Sequence, residues 1–249
     1  MKRLFVLACV LALAAGCAGG GPVSRAPVVD GQVRILERIP GLHANAAPDQ
    51  WWTQRRANEG PLAIVDLQGT VAVRPDVPGG ALMGRRVDAA LTATPYLRWS
   101  WYLEPTLFGG GPGAGEERGL RIVVFFRSAE RPWSETMSSW LRRSPPEWDR
   151  WAEITFGGVG AARAEQALQR KSIADDAGRR TQLREPRAGQ AGEWHVEAID
   201  LVEVHRRLWP NEDPAKVRIA LVAVGGFSGP LPPGSPASIG YIAEAFLTR

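Results

Sequence analysis

The sequence predicts an all-β fold, mainly antiparallel, of the sandwich or jelly-roll type with one or two short helices. Three observations carry that prediction. Beyond residue 33 the hydrophobic period is two: Leu97, Trp99, Trp101 and Leu103 alternate with Arg98, Ser100 and Tyr102, the mark of a strand with one face in a core. Glycine and proline clusters at Pro78-Gly79-Gly80, 109–115 and 225–236 separate such runs. A helical period after nearly every strand, which parallel βαβ architecture would need, is missing.

The first segment stands outside that fold. Lys2 and Arg3 precede an apolar run over 4–15, and Ala14-Ala15-Gly16-Cys17 follows at once. Twelve apolar residues are too few for a membrane span, which takes about 17 to 25, but they suit the apolar region of a signal peptide. The small residues before Cys17 resemble a bacterial lipobox, in which the cysteine thiol is acylated and becomes the new N-terminus. Ala14 stands where leucine is commoner, with Leu13 one place further out. A leader over 1–16 and a lipidation site at Cys17 are therefore expected. The only other cysteine is Cys9, inside the leader, so the exported fold is held by its core and not by disulfides. Residues 17–32 read as the lipidated cysteine and a flexible Gly/Pro-rich tether. Ala18, where an aspartate would favour inner-membrane retention, makes the outer membrane, facing the periplasm, the expected address.

Residues 33–249 are then a single domain, long enough to bury a sizeable core. Strands are predicted over 62–67, 69–74, 86–91, 97–103, 120–127, 152–156, 193–199, 217–224 and 238–247. One helix is predicted after Asp200, which can cap it with Glu203 three residues on. Leu201, Val204, His205 and Leu208 share a face there, and Pro210 stops it. A second, short helix is predicted from Ser134 past Met137, Trp140 and Leu141.

Several of these runs carry a resemblance. Pro95-Tyr96-Leu97-Arg98-Trp99-Ser100-Trp101, Glu116-Glu117 leading into Arg121-Ile122-Val123-Val124-Phe125-Phe126, Gly192-Glu193-Trp194 with Asp200 after it, and the closing Ala-Ser-Ile-Gly-Tyr-Ile-Ala run occur in this order. Over roughly residues 60–249 the chain resembles a bacterial family of exported proteins, domain of unknown function 3047. The resemblance implies a galactose-binding-like β-sandwich and no particular activity. In the segment 222–229 family members tend to carry aspartates, whereas this chain has Val-Ala-Val-Gly-Gly-Phe-Ser-Gly.

Composition narrows the chemistry. Of 249 residues 45% are hydrophobic and 22% charged, an ordinary globular balance. The net charge is +4, or +2 once Lys2 and Arg3 leave with the leader, and only three of the 30 basic residues are lysine. That is no basic stripe for nucleic acid. His43, His195 and His205 are scattered, so no metal and no other cofactor is expected. Gly226-Phe227-Ser228-Gly229-Pro230 misses the nucleophile elbow because proline takes its last place, and 109–115 lacks the Lys-Ser/Thr of a phosphate loop.

What remains is aromatic and charged. Trp133, Trp140, Trp148 and Trp151 crowd one connection, as a recognition surface or as a lid of buried indoles. Trp99, Trp101 and Trp194 read as packed strand residues. If the alternation holds, Arg98, Ser100, Tyr102, Arg121, Glu153, Thr155, His195, Glu197 and Glu244 project away from the core as one polar face able to bind a ligand. Arg98, Arg121, Glu153 and Glu244 are expected to be a coupled charge cluster at its centre. The expected function is a non-catalytic envelope lipoprotein, anchored in the membrane, whose sandwich binds a glycan or an envelope protein. The alternatives are a periplasmic polysaccharide hydrolase using a carboxylate pair such as Glu153 and Glu197, and a purely structural lipoprotein.

Overall fold

The computed structural model describes residues 26, 28–36, 51–54, 62–67, 69–75, 82–104, 118–129, 148, 150–159, 178–182, 192–228 and 240–249. Within them lie thirteen strands, one α-helix and one 3-10 turn: β1 (Val28–Val29), β2 (Gln32–Arg34), β3 (Trp52–Gln54), β4 (Leu62–Leu67), β5 (Thr70–Pro75), β6 (Leu82–Ala90), β7 (Tyr96–Leu103), β8 (Arg118–Ser128), β9 (Arg150–Val159), β10 (Gly178–Gln182), β11 (Trp194–Asp200), α1 (Leu201–Leu208), the turn Pro214–Lys216, β12 (Val217–Ser228) and β13 (Gly240–Thr248). They build two sheets, and the protein is an all-β sandwich. The first sheet runs β11-β7-β13, with both β5-β4 and β2-β1 on the far edge of β13; the second runs β10-β9-β8-β12-β6-β3. All pairings are antiparallel except β10 against β9, which is parallel. β7 lies over β9, β13 over β8 and β5 over β12.

Alternation decides what enters the layer between the sheets. Leu97, Trp99, Trp101 and Leu103 of β7 meet Leu120, Ile122, Val124 and Phe126 of β8, Ile154 of β9, and Ile219, Val222 and Val224 of β12 in one core. The second sheet also buries its outer face, where Leu82, Val123, Phe125, Leu221 and Ala223 form a separate cluster with Trp52, Trp148 and Trp151 packed on it. Burial on both sides is why β8 and β12 read as continuous apolar runs and not as alternating ones. Gly84 permits the close pairing of β6 with β12, since a Cβ there would fall 2.4 Å from the Val222 carbonyl oxygen.

Of the register shifts between the strands, two set special backbone positions. In β13 the register slips between Ala243 and Phe246, with Glu244 at φ 50°. Before the slip β13 pairs with β5, and after it with β2. The Ala245 carbonyl accepts from the amides of both Ile35 and Leu36. The second bulge sits where β6 passes Ala220 of β12, with Asp88 at φ 60°.

Both ends of the sandwich are now defined. At one end the predicted helix stands as α1: Asp200 Oδ1 accepts from the amides of Val202 and Glu203, and Leu201, Val204 and His205 are buried. The Leu201 amide donates to the Pro95 carbonyl, which ties the helix to the start of β7. The other end, where β7 finishes and β11 and β13 begin, carries Glu104, Gly192 and Gly240.

One boundary moves. The period of two placed the start of the domain at residue 33, but β1 begins at Val28, and Ala26 is buried with its amide donating to the Arg86 carbonyl on β6. Strands of two and three residues are too short to show a period. The second predicted helix, Trp133, Trp140 and Cys17 lie outside the described residues.

Candidate functional site

The outer face of the first sheet is built by the residues of β7 that avoid the core: Arg98, Ser100 and Tyr102. Their cross-strand partners share that face. On β11 these are Ala198, Val196 and Trp194; on β13 they are Phe246, Ala243 and Tyr241. At the end away from α1 this puts three aromatic rings in a row on three adjacent strands. The Trp194 and Tyr102 centroids stand 5.7 Å apart, and those of Tyr102 and Tyr241 5.8 Å. Ala72 and Ala243 floor the row, with Val65 and Leu67 beyond them.

Polar groups border the rings. The Tyr241 hydroxyl donates to Glu104 Oε1, and burial followed by that bond pushes the phenol up to about 12. Ser100 Oγ donates to the Ala243 carbonyl at 3.2 Å and lies 3.3 Å from Glu244 Oε2. The Arg98 guanidinium lies over the Phe246 ring, 5.8 Å from its centroid. Toward α1 the face is open: Arg98, Ala198 and Glu244 are exposed, and Val196 is 68% exposed.

The single polar face expected from the alternation is divided among three places. Arg98, Tyr102 and Glu244 belong to this face of the first sheet. Arg121 and Glu153 lie on the outer face of the second sheet, because their cross-strand partners Gly225 and Val123 do. There Arg121 Nη1 stands 3.6 Å from Glu153 Oε1, and the carboxylate is 3% exposed. His195 and Glu197 lie opposite Trp101 and Trp99, on the core side of β11, with the His195 ring 4.5 Å from that of Trp101. Arg98 and Arg121 thus occupy opposite outer faces of the sandwich, and the four-residue charge cluster does not form. The Glu153 and Glu197 carboxylates do not converge either, which removes the geometry a paired-carboxylate hydrolysis by these two would need.

The reason lies in β11. Its only strand partner among the described residues is β7, so it is an edge strand, and its core-side positions lie at the margin of the sandwich, where histidine and glutamate are tolerated. Its outer positions carry Trp194, Val196 and Ala198. The polarity of the strand is inverted, and a reading by polarity assigns its faces the wrong way round. Trp194 and Tyr241 were missed for that reason and because a tyrosine flanked by Gly240 and Ile242 looks like core. Trp148 of the aromatic connection packs on the second sheet, its ring 4.5 Å from Phe125 and 5.8 Å from Trp52.

Two further clusters lie near α1. Asp88 accepts from Arg127 Nη2 and Arg218 Nε, while Arg218 Nη2 donates to the Asp88 carbonyl at 2.7 Å. Burial raises this carboxyl, but the bonds from Arg218 and Arg127 outweigh it and hold it below its usual range. Inside the sandwich, His205 packs between Phe126 and Trp209, with Arg150 paired to Glu212 beside it. No group of three or more potential metal ligands occurs among the described residues, and no helix there is long and apolar enough to cross a membrane. No protein-family model matches the chain, and no curated protein matches it.

Proposed function

We propose that this chain is a lipid-anchored envelope protein whose sandwich binds a glycan, without catalysis, on the outer face of the first sheet. The observation that carries the reading is the row Trp194, Tyr102 and Tyr241 across β11, β7 and β13. Pyranose rings present flat C–H faces edged by hydroxyls. Indole and phenol rings offer matching apolar faces, and in the row Trp194 and Tyr102 are half-buried while the buried Tyr241 backs them. Glu104 and Glu244 supply acceptors near the row, and Arg98, four residues or about 13 Å along β7 toward α1, offers a planar donor fork farther down the same face. The anchor is the acylated Cys17, and the address is the outer membrane facing the periplasm.

A glycan array probed with the full chain in detergent tests this reading. Binding to an envelope polysaccharide or peptidoglycan fragment is expected, and Tyr102→Leu is expected to weaken it roughly fivefold, the effect of losing about 1 kcal/mol of ring contact. An array with no hit, or a hit that Tyr102→Leu leaves unchanged, sinks the proposal.

A further inference from the structure

We infer that the outer face of the second sheet, at the α1 end, rests on the anionic phospholipid headgroups of the membrane that holds the chain. This rests on the anchored-lipoprotein reading and adds an orientation to it. Nine peptide steps separate Cys17 from Ala26, which is the first described residue and is buried, and at full stretch they span about 30 Å. A domain of this length is about 44 Å across, taken from a radius of gyration near 17 Å. The tether is therefore shorter than the body it holds. The side where the chain enters stays beside the bilayer, and the far side is kept away from it.

The entry point is specific: Ala26 is buried between the sheets at the β6 side of the sandwich, and its amide bonds the Arg86 carbonyl, two residues before Asp88. Of the outer faces that adjoin this side, that of the second sheet carries partly exposed arginine beside tryptophan. There Arg127 of β8 and Arg218 of β12, direct cross-strand partners, share the one Asp88 carboxylate. Two guanidinium groups against one acid leave that trio at +1. Arg127 and Arg218 are 37% and 34% exposed, so water, and equally a phosphate, reaches them. Arg218 turns Nε and Nη2 to Asp88, and Arg127 turns Nη2, which leaves further N–H donors on both for phosphate oxygens. Next to them on the same face stands the cluster of Phe125, Trp52, Trp148 and Trp151. Arginine beside half-buried tryptophan is the pairing that suits a headgroup layer, charged at the phosphates and amphipathic below them. The aromatic row of the first sheet lies at the opposite end and on the opposite face, turned away from the anchor.

The fold offers a clean way to test this, since an acylated Cys17 leaves the mature chain without a free thiol. Single cysteines at Ala129, beside Arg127, and at Ala198, on the first sheet, occupy exposed positions and take a fluorophore. The purified lipidated chain is reconstituted into phosphatidylethanolamine vesicles with or without phosphatidylglycerol, and quenching by a nitroxide-bearing lipid is measured. Stronger quenching at Ala129→Cys than at Ala198→Cys is expected, rising with phosphatidylglycerol. That rise is expected to vanish in Arg127→Gln/Arg218→Gln while the protein still floats with the vesicles. Equal quenching at the two sites in a floating protein, or quenching indifferent to phosphatidylglycerol, overturns the orientation and leaves the anchor standing. A parent chain that itself takes up label at Cys17 overturns the anchor and the orientation together.

Discussion

His205 is fully buried, and neither ring nitrogen makes a hydrogen bond among the described residues; Nε2 stands 3.5 Å from Glu212 Oε2, a carboxylate already neutralised by Arg150. Burial, and then the nearby Arg150 charge, push its pKa down from 6.5 to about 4. The folded protein therefore keeps this imidazole neutral where the unfolded chain protonates it. Above pH 6.5 the group has no effect on stability. As pH falls from 6.5 toward 4 the unfolded state binds a proton that the folded state refuses, stability drops by roughly 3 kcal/mol, and the loss levels off below 4. His205→Leu is expected to flatten that part of the curve, and denaturant unfolding at pH 7 and pH 4.5 checks it; an unchanged slope would mean that other groups carry it. A second prediction concerns charge pairs. Arg121 and Glu153 lie in ion-pair range, largely buried, so Arg121→Ala and Glu153→Ala are expected to couple by more than about 0.5 kcal/mol in a double-mutant cycle. Arg98 and Glu153, on opposite outer faces, are expected to be additive. Coupling in the second cycle would contradict the facing assigned to β7 and β9.

Elements differ in how much of themselves they show in sequence. β7 was legible because it is central and one-sided, with apolar and polar residues strictly alternating. α1 was legible from local chemistry, its cap at Asp200 and its stop at Pro210. β1, β2, β3 and β10 were not: the first three have two or three residues each, and β10 is Gly-Arg-Arg-Thr-Gln, without an apolar face. Nor was the paired-strand origin of the aromatic row, because Tyr102, Trp194 and Tyr241 are brought together only by the register of β7 against β11 and β13. The cap yields a prediction at this scale. Asp200 satisfies two amides at the start of an eight-residue helix, and Asp200→Ala is expected to cost about 1 kcal/mol while Asp200→Ser keeps most of the stability. Equal melts for parent and alanine variant would show that tertiary contacts alone hold α1.

For the whole molecule, the question is where the domain begins. The segment from Ala26 to Leu36 touches both sheets: Ala26 bonds β6 of the second, β2 pairs with β13 of the first, and Ile35 and Leu36 bond the bulge at Ala245. It closes one side of the sandwich and covers the edge of β13 that β5 leaves free past Ala243. A chain starting at Ala26 keeps all of this. A chain starting at Ile35 loses the buried Ala26 and Val33 and exposes the β13 edge at Phe246 and Leu247. Burial of one valine-sized side chain is worth about 1.5 to 3 kcal/mol, and each kcal/mol shifts the melting point of a domain this size by about 2 to 4 °C. The chain starting at Ala26 is therefore expected to melt with the mature protein, and the chain starting at Ile35 roughly 5 to 10 °C lower, with a greater tendency to self-associate through the opened edge. Matching melts for the two truncations would make residues 26–34 an extension of the tether. They would also lengthen the anchor by the same nine residues and so remove the geometric basis for seating the second sheet on the membrane.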